Sequence, residues 1–439
     1  MFVSAKTTTR CKGRFFTTRS IVALPAILLL VACNSTSPQG SGDKSMLTFD
    51  AFTPLSGAEA VFGPESTSGC MTGVLVINQA GGILGHPVQC VATDSRGDAA
   101  DAVPAAQQML ATAQNLVGII GPSTNEGPST VPIFDRAHIP MIAQTGDPAY
   151  DHNTYQYFYR PTPADDINGI AMAVWAYKQK GYTRAAAVFG NDVAGQGVVP
   201  NLVKAFEKLG GTVVANQQLA LDQNSYRTEV ARLVAAKPQV IFTELDPQTA
   251  GTYYGELKEL KGLVPVVGDG GTLGYPAWLQ AVVGAIGADN MAQYYSGVQI
   301  LNPVGGPGWD AFSVAVLKIN IQNPAQFLHD PYTTTNYDGV LELALAMTAA
   351  KSVDPAVFNP YFVKIAAGGP SATVVHTYAD GVQALNAGKT IQFVGAAGAT
   401  LYDQYHNAAL PFEVDTVKAD LTLVQQGIVS ATDVAALTT

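Results

Sequence analysis

Positive charge is scarce in this chain of 439 residues: 24 Lys and Arg face 34 Asp and Glu, and five of the cations lie within the first 19 positions. Without residues 1–32 the count is 19 against 34, a net charge of −15. So acidic a surface repels phosphate backbones, and no basic stripe with interleaved aromatics occurs, which excludes nucleic acid as a partner. Catalytic signatures are missing too. There is no Gly-x-Ser-x-Gly elbow, no His-Glu-x-x-His and no Gly-x-Gly-x-x-Gly after a strand. The stretch from Gly190 to Gly197 lacks the Lys-Ser/Thr of a phosphate loop and reads as a strand-to-helix turn. The six His residues, at 86, 138, 152, 329, 376 and 406, are scattered without metal spacing, so neither a metal nor a cofactor is expected. Long apolar runs are absent as well. The run at 21–31 has eleven residues, too few to span roughly 30 Å of hydrocarbon, and no later one reaches that length. No repeat of fixed period occurs.

What is present begins with that short run. It follows Lys6, Arg10, Lys12, Arg14 and Arg19 with no acid among them, and it closes on Leu30-Val31-Ala32-Cys33. This predicts a signal peptide over residues 1–32. Small residues before a Cys resemble the lipobox of bacterial lipoproteins, which implies acylation at Cys33 and a lipid-anchored, extracytoplasmic protein. The plainer alternative is an ordinary secretory signal with an incidental Cys. Residues 33–45, rich in Ser and Gly, read as a flexible tether. Of four cysteines, Cys11 leaves with the signal peptide, and Cys70 and Cys90 remain beside Cys33. In an oxidising compartment the pair forms a disulfide, or else packs as two buried thiols.

About 400 mature residues exceed the usual limit of roughly 250 to 300 for one core, which predicts two domains. From residue 46 short β-rich runs alternate with helical patterns. Strands are expected at 47–52, 88–93, 117–121, 140–143, 185–189, 212–219, 240–243 and 264–268, and helices at 61–79, 99–113, 165–180, 198–209, 226–236 and 249–260. Several helices end at Gly181, Gly210 or Gly262. The rhythm predicts an α/β fold with parallel sheets and crossover helices. Beyond residue 301 the pattern is harder to parse, although 339–350 is helical.

In open α/β sheets ligands bind beyond the carboxyl ends of the strands. The loops there, 53–63, 121–127, 144–147, 190–197, 244–247 and 268–271, are rich in Ser, Thr, Gly and Asp. Ser123, Thr124 and Asn125 lie between a strand and a helix, where their side chains either hold a ligand oxygen together with free N–H groups or simply cap the helix. Asp165-Asp166 is explained by acids opposing the positive end of a helix dipole.

Pro54-Leu55-Ser56-Gly57 with Phe62-Gly63, the segment from Ile77 to Gly85, Asp94 to Asp98, Val117 to Pro122, Ile139 to Ile142, and Gly268-Asp269-Gly270 together resemble the branched-chain amino-acid (Leu/Ile/Val-binding) substrate-binding proteins of ABC transporters, a type I periplasmic-binding-protein family. The resemblance implies two Rossmann-like lobes with parallel sheets, joined by three hinge crossovers near 160–163, 295–300 and 392–401. The first lobe would comprise 46–160 and 300–391, the second 161–299 and 392–439. It implies a monomer without catalytic activity that closes on a small polar or amphipathic solute, such as an amino acid or amide, and delivers it to permease subunits.

Carried over residue by residue, the resemblance places Phe62 against the ligand, and Thr124 with Ser123 on a ligand carboxylate. Thr145, Gly146 and Asp147 form the next wall. Asp147 stands where amino-acid binders have Ser or Thr, so it either meets a ligand ammonium or caps the turn at Pro148. On the second lobe Ala194 and Leu245 replace tyrosines, and Gly270 replaces an ammonium-binding acid. Glu244, Asp246 and Asp269 are the acids available to substitute. A ligand sensor reporting to a signalling protein would use the same cleft, and an exported α/β hydrolase is the remote alternative.

Overall fold

In this computed structural model the described residues are 44–438, apart from 58, 271, 274, 301–306, 329 and 409–411. The signal peptide, Cys33 and all but the last two tether residues lie outside them. Within the unit Lys44–Thr439 the chain builds two large sheets.

The first sheet contains β1 (Leu47–Thr53), β2 (Val88–Asp94), β3 (Leu116–Ser123), β4 (Met141–Gln144) and β5 (Phe158–Tyr159), in the order β2-β1-β3-β4-β5 and parallel throughout. Every residue of β1 is buried, because helices cover both faces, as a parallel sheet requires. On one face Phe49, Ala51, Ile120 and Ile142 pack against α1 (Gly63–Gln79) and the 20-residue helix Pro331–Ala350 through Ile77, Val340 and Leu343. On the other, Phe52, Ile119 and Met141 meet Ala106 and Met109 of α2 (Ala99–Thr112) and Val131 and Phe134 of α3 (Gly127–Arg136). The Cys70–Cys90 disulfide ties α1 to β2.

The second sheet adds β6 (Arg184–Gly190), β7 (Thr212–Leu219), β8 (Val240–Glu244), β9 (Val266–Gly268) and β10 (Tyr295–Ile300), in the parallel order β7-β6-β8-β9-β10. Two further strands, β11 (Thr373–Val375) and β12 (Ile391–Phe393), pair only with each other. Then β13 (Phe412–Val417) and β14 (Leu423–Val429) extend the second sheet in antiparallel sense. The connection between these last two strands is too short for a crossover, so they pair antiparallel, and the otherwise parallel second sheet carries an antiparallel edge, as large α/β sheets often do. The faces of this sheet are covered by α4 (Asp165–Val174) and α5 (Val193–Lys208) on one side, and by α6 (Arg227–Ala236), α7 (Pro247–Glu259) and α8 (Pro276–Ile286) on the other.

Two details depart from the sequence reading. After α7 the left-handed backbone falls on Lys261, at φ 56°, and not on Gly262, whereas Gly181 and Gly210 do take positive φ of 74° and 105°. The third crossover is also displaced. Phe393 and Ala396 belong to the core of the first sheet, and the N–H groups of Ala396 and Ala397 donate to buried Asp338 of the helix Pro331–Ala350 at 2.9 and 2.6 Å. Residues 392–401 are therefore held in the first lobe, and the chain reaches the second sheet only at Phe412. Just before, it runs beside the first crossover: Arg160 N donates to His406 O and Ala408 N to Arg160 O, both at 2.9 Å. Among the described residues no helix is long and apolar enough to cross a membrane.

Candidate functional site

The loops at the carboxyl ends of β1, β3 and β4 face those of β6, β8 and β9 across a cavity of about 80 Å³. The first sheet's side contributes Glu59, Phe62 and Glu65 around the start of α1, Ser123 to Asn125 after β3, Gln144 and Gly146 after β4, and Tyr332. The opposite side contributes Asp165 and Asn168 from α4, Ala194 from α5, Glu244 and Asp269 after β8 and β9, and Tyr275 ahead of α8. Thr162 and Pro163 of the first crossover complete the lining.

Local sequence fixes these positions. Pro64 at the start of α1 holds a backbone angle already suited to a helix. A Cβ at Gly63 would overlap the carbonyl of Pro54, so only glycine lets the β1 loop lie on the helix start and bring Glu59, Phe62 and Glu65 to the cavity. Gly146 is similarly constrained. A Cβ there would run into the Asp165 carboxylate, which lies against the β4 loop, and Asp165 N donates to Gly146 O at 2.6 Å.

Several expected residues meet at this cavity: Phe62, Ser123, Thr124, Asn125, Gly146, Ala194 and Asp269 all line it. Others do not. Asp147 accepts from Ala149 N at 2.9 Å and caps the turn Pro148–Tyr150, so the capping alternative describes it. Thr145 is fully buried behind the wall, its hydroxyl accepting from Asp147 N at 3.4 Å. Leu245 packs in the core beneath α7 and α8, and Asp246 caps α7 by accepting from Gln248 N and Thr249 N at 2.9 and 3.0 Å. Gly270 follows β9 without reaching the lining. Of the three acids available to substitute, Glu244 and Asp269 line the cavity and Asp246 does not.

The hydroxyl after β3 has neither of its expected roles in simple form. Thr124 Oγ1 accepts from Gly146 N at 2.9 Å, bracing the β4 loop, while Asn125 Oδ1 reaches across the cleft to accept from Val193 N at 3.2 Å. The N-cap of α3 is Glu126, not one of these three.

Electrostatically the cavity is one-sided. Five carboxylates line it, and among the described residues no Lys, Arg or His does. Burial pushes Glu59 up to about 8, with Asp192, Asp246, Glu126 and Asp222 adding to the rise. Burial drives Glu65 well above the usual range, assisted by Asp330, while a hydrogen bond with the Tyr275 side chain opposes the shift. Asp165 is raised well above its ordinary value by burial and then by Asp269, with Arg160 pulling the other way. Glu244 is likewise raised, by burial and by Asp269, to which its side chain is hydrogen-bonded. Two carboxyl groups in such contact share a proton.

Sequence reasoning missed Glu59, Glu65, Asp165, Tyr275 and Tyr332. Glu59 lies inside a loop already singled out, and Glu65 follows Phe62 by three residues, one helical turn, so that spacing was the available signal. Asp165 was assigned to the helix dipole. It does begin α4, but its position after the Pro163 crossover also aims it at the cleft.

A family model described as "Periplasmic binding protein" matches residues 51–408. The chain is 24% identical over 316 residues to an amino acid binding protein of Pseudomonas aeruginosa, covering 69% of this chain and 78% of that one. Among solved structures, a leucine-binding protein of Thermotoga maritima aligns with a TM-score of 0.71 at 18% identity, over 88% of this chain and 99% of that one. An ABC-transporter solute-binding protein of R. palustris, in complex with benzoate, aligns with a TM-score of 0.67 at 17% identity, over 87% and 96%. With two α/β lobes, a cavity between their loops and a family match over most of its length, this chain belongs to the periplasmic binding protein family.

Proposed function

We propose that this protein is an extracytoplasmic solute receptor, held to a membrane by lipid at Cys33, that captures a small polar solute between its lobes and hands it to the transmembrane subunits of an ABC permease without chemical change. The observation that carries this reading is that the cavity wall comes from both sheets, so a ligand there contacts both lobes only when they are closed. Closure is then driven by differential affinity, because a ligand shifts an equilibrium only by what it binds better in one state. Homologues that bind amino acids and aromatic acids support the role.

The test is ligand-dependent thermal stabilisation over a panel of amino acids, amides, amines and organic acids. At least one compound should raise the melting temperature saturably; if none does, the reading fails. Anchoring is tested separately. Cys33→Ser should move the protein from the membrane fraction to the soluble one, and an unchanged distribution would assign Cys33 no lipid.

A further inference from the structure

We infer that the solute is an organic cation, an amine or guanidine with no free carboxylate, held by carboxylates from both lobes and by the aromatic side chains between them. This rests on the solute-binding reading above and names the ligand class.

Three independent observations lead to it. The first is the lining. Glu59 and Glu65 approach from one lobe, Asp165, Glu244 and Asp269 from the other, and Phe62, Tyr275 and Tyr332 stand among them. Aromatic faces attract cations through their quadrupole, and a box of carboxylates and rings is poor surroundings for any anion.

The second is unmet hydrogen-bonding capacity. Glu65 and Asp165 are only 5% and 8% exposed, yet Glu65 Oε2 and Asp165 Oδ2 have no partner, and Glu244 Oε2 lacks one as well. Buried carboxylate oxygens are costly unless a donor meets them, and ammonium and guanidinium groups carry three to five N–H donors and no acceptor.

The third is the fate of the subsite where the resemblance would place a ligand carboxylate. Gly146 N is already given to Thr124 Oγ1, and the Asp165 carboxylate lies against the same loop. A ligand carboxylate there would find a donor occupied and an acid facing it.

A metal ion fits less well. Among the described residues no three His, Cys, Asp or Glu side chains converge as a metal-binding group. The carboxylates instead line the walls of a larger space, which suits charge carried on a molecule.

The experiment uses the full-length protein purified in detergent, with 1,4-diaminobutane, guanidinium and tetramethylammonium as cationic probes and leucine, benzoate and calcium as comparators at constant ionic strength. At least one organic cation should stabilise the protein saturably, with no effect from leucine or benzoate. Binding of leucine or benzoate without any cation leaves the solute receptor standing and overturns the inference. Calcium alone overturns it in favour of a metal, and no binding at all overturns both readings.

Glu65→Gln and Asp165→Asn should each weaken the cation by about tenfold or more while leaving the melting temperature of the empty protein unchanged or higher, because each removes the buried carboxylate that a cationic ligand stabilises and whose open oxygen only the ligand meets. A merely structural carboxylate would lower the empty protein's melting temperature and leave the ligand-induced rise intact. Should either variant fail to fold, Glu59→Gln on the partly exposed wall carries the same test, and unchanged cation affinity there counts against the inference.

Discussion

Phe62, immediately ahead of α1, meets Tyr275, immediately ahead of α8, edge to face with ring centroids 4.7 Å apart and planes at 83°. The two residues belong to opposite lobes, and Tyr275 also hydrogen-bonds with Glu65 one turn into α1. One side chain of the second lobe thus touches the helix start of the first at two points, joining the lobes across the cavity mouth.

Tyr275→Phe keeps the ring and removes the hydroxyl, leaving buried Glu65 without its partner. Ligand affinity should fall by about 1 to 3 kcal/mol, and small-angle scattering of the ligand-free protein should show a larger radius of gyration. Equal affinity and equal radius would mean that the hydroxyl does not favour closure.

Thr124→Ala removes the acceptor of Gly146 N and should weaken ligand binding by about 1 to 3 kcal/mol, measured by calorimetry, whereas Thr124→Ser should restore most of the loss. Unaltered affinity in the alanine variant would make the brace dispensable.

Acidity should protect the empty protein. Glu59 is raised from 4.5 to about 8, and Glu126 to about 7 by burial, against a hydrogen bond from the Ser123 backbone and with Asp94 adding to the rise. The folded state keeps protons that the unfolded chain gives up. Below 4.5 both states are protonated and this stability is fully present; it is lost as pH climbs toward 8. Urea midpoints at constant ionic strength should therefore fall from about pH 5 to about pH 8.5. Midpoints that climbed over that interval would contradict the assignment.

The bond between Cys70 and Cys90 closes a loop of 20 residues, so replacing both by Ala should cost about 3 kcal/mol of unfolding free energy. Denaturation of the double variant beside the oxidised parent checks this, and equal stability would leave the bond without a stabilising role.

Of the strands from Leu47 to Gly268 all but β5, which is only two residues long, were legible because each short apolar run lies between helical patterns, a local signal. The last third resisted for a physical reason. β14 is partly exposed along most of its length, and β10, with Ser296, Gly297 and Gln299 among its six residues, is completed on one side by β9 and on the other only by β13, more than a hundred residues later, so neither carries the apolar signature of a central strand. The site divides in the same way. Phe62, Thr124 and Asp269 follow from loops at strand ends. Tyr275 lies a few residues beyond the loop after β9, at the start of α8, Tyr332 is brought to the cavity by a helix far away in sequence, and Asp165 is indistinguishable in sequence from an ordinary helix-starting acid. Asp246 shows the converse, an acid in the right loop whose side chain is taken by the helix it begins.

The helix Pro331–Ala350 has a consequence for the order in which the molecule is made. The strands of the first sheet are complete by Tyr159, but the face bearing Phe49, Ile120 and Ile142, covered in part by α1, is covered in full only when Val340 and Leu343 arrive. The second sheet waits longer still, for the hairpin ending at Val429. In a chain delivered N-terminus first, neither lobe can seal its interior until most of its length has emerged. Interleaving the lobes along the chain in this way makes the closing of both cores a late and nearly simultaneous event.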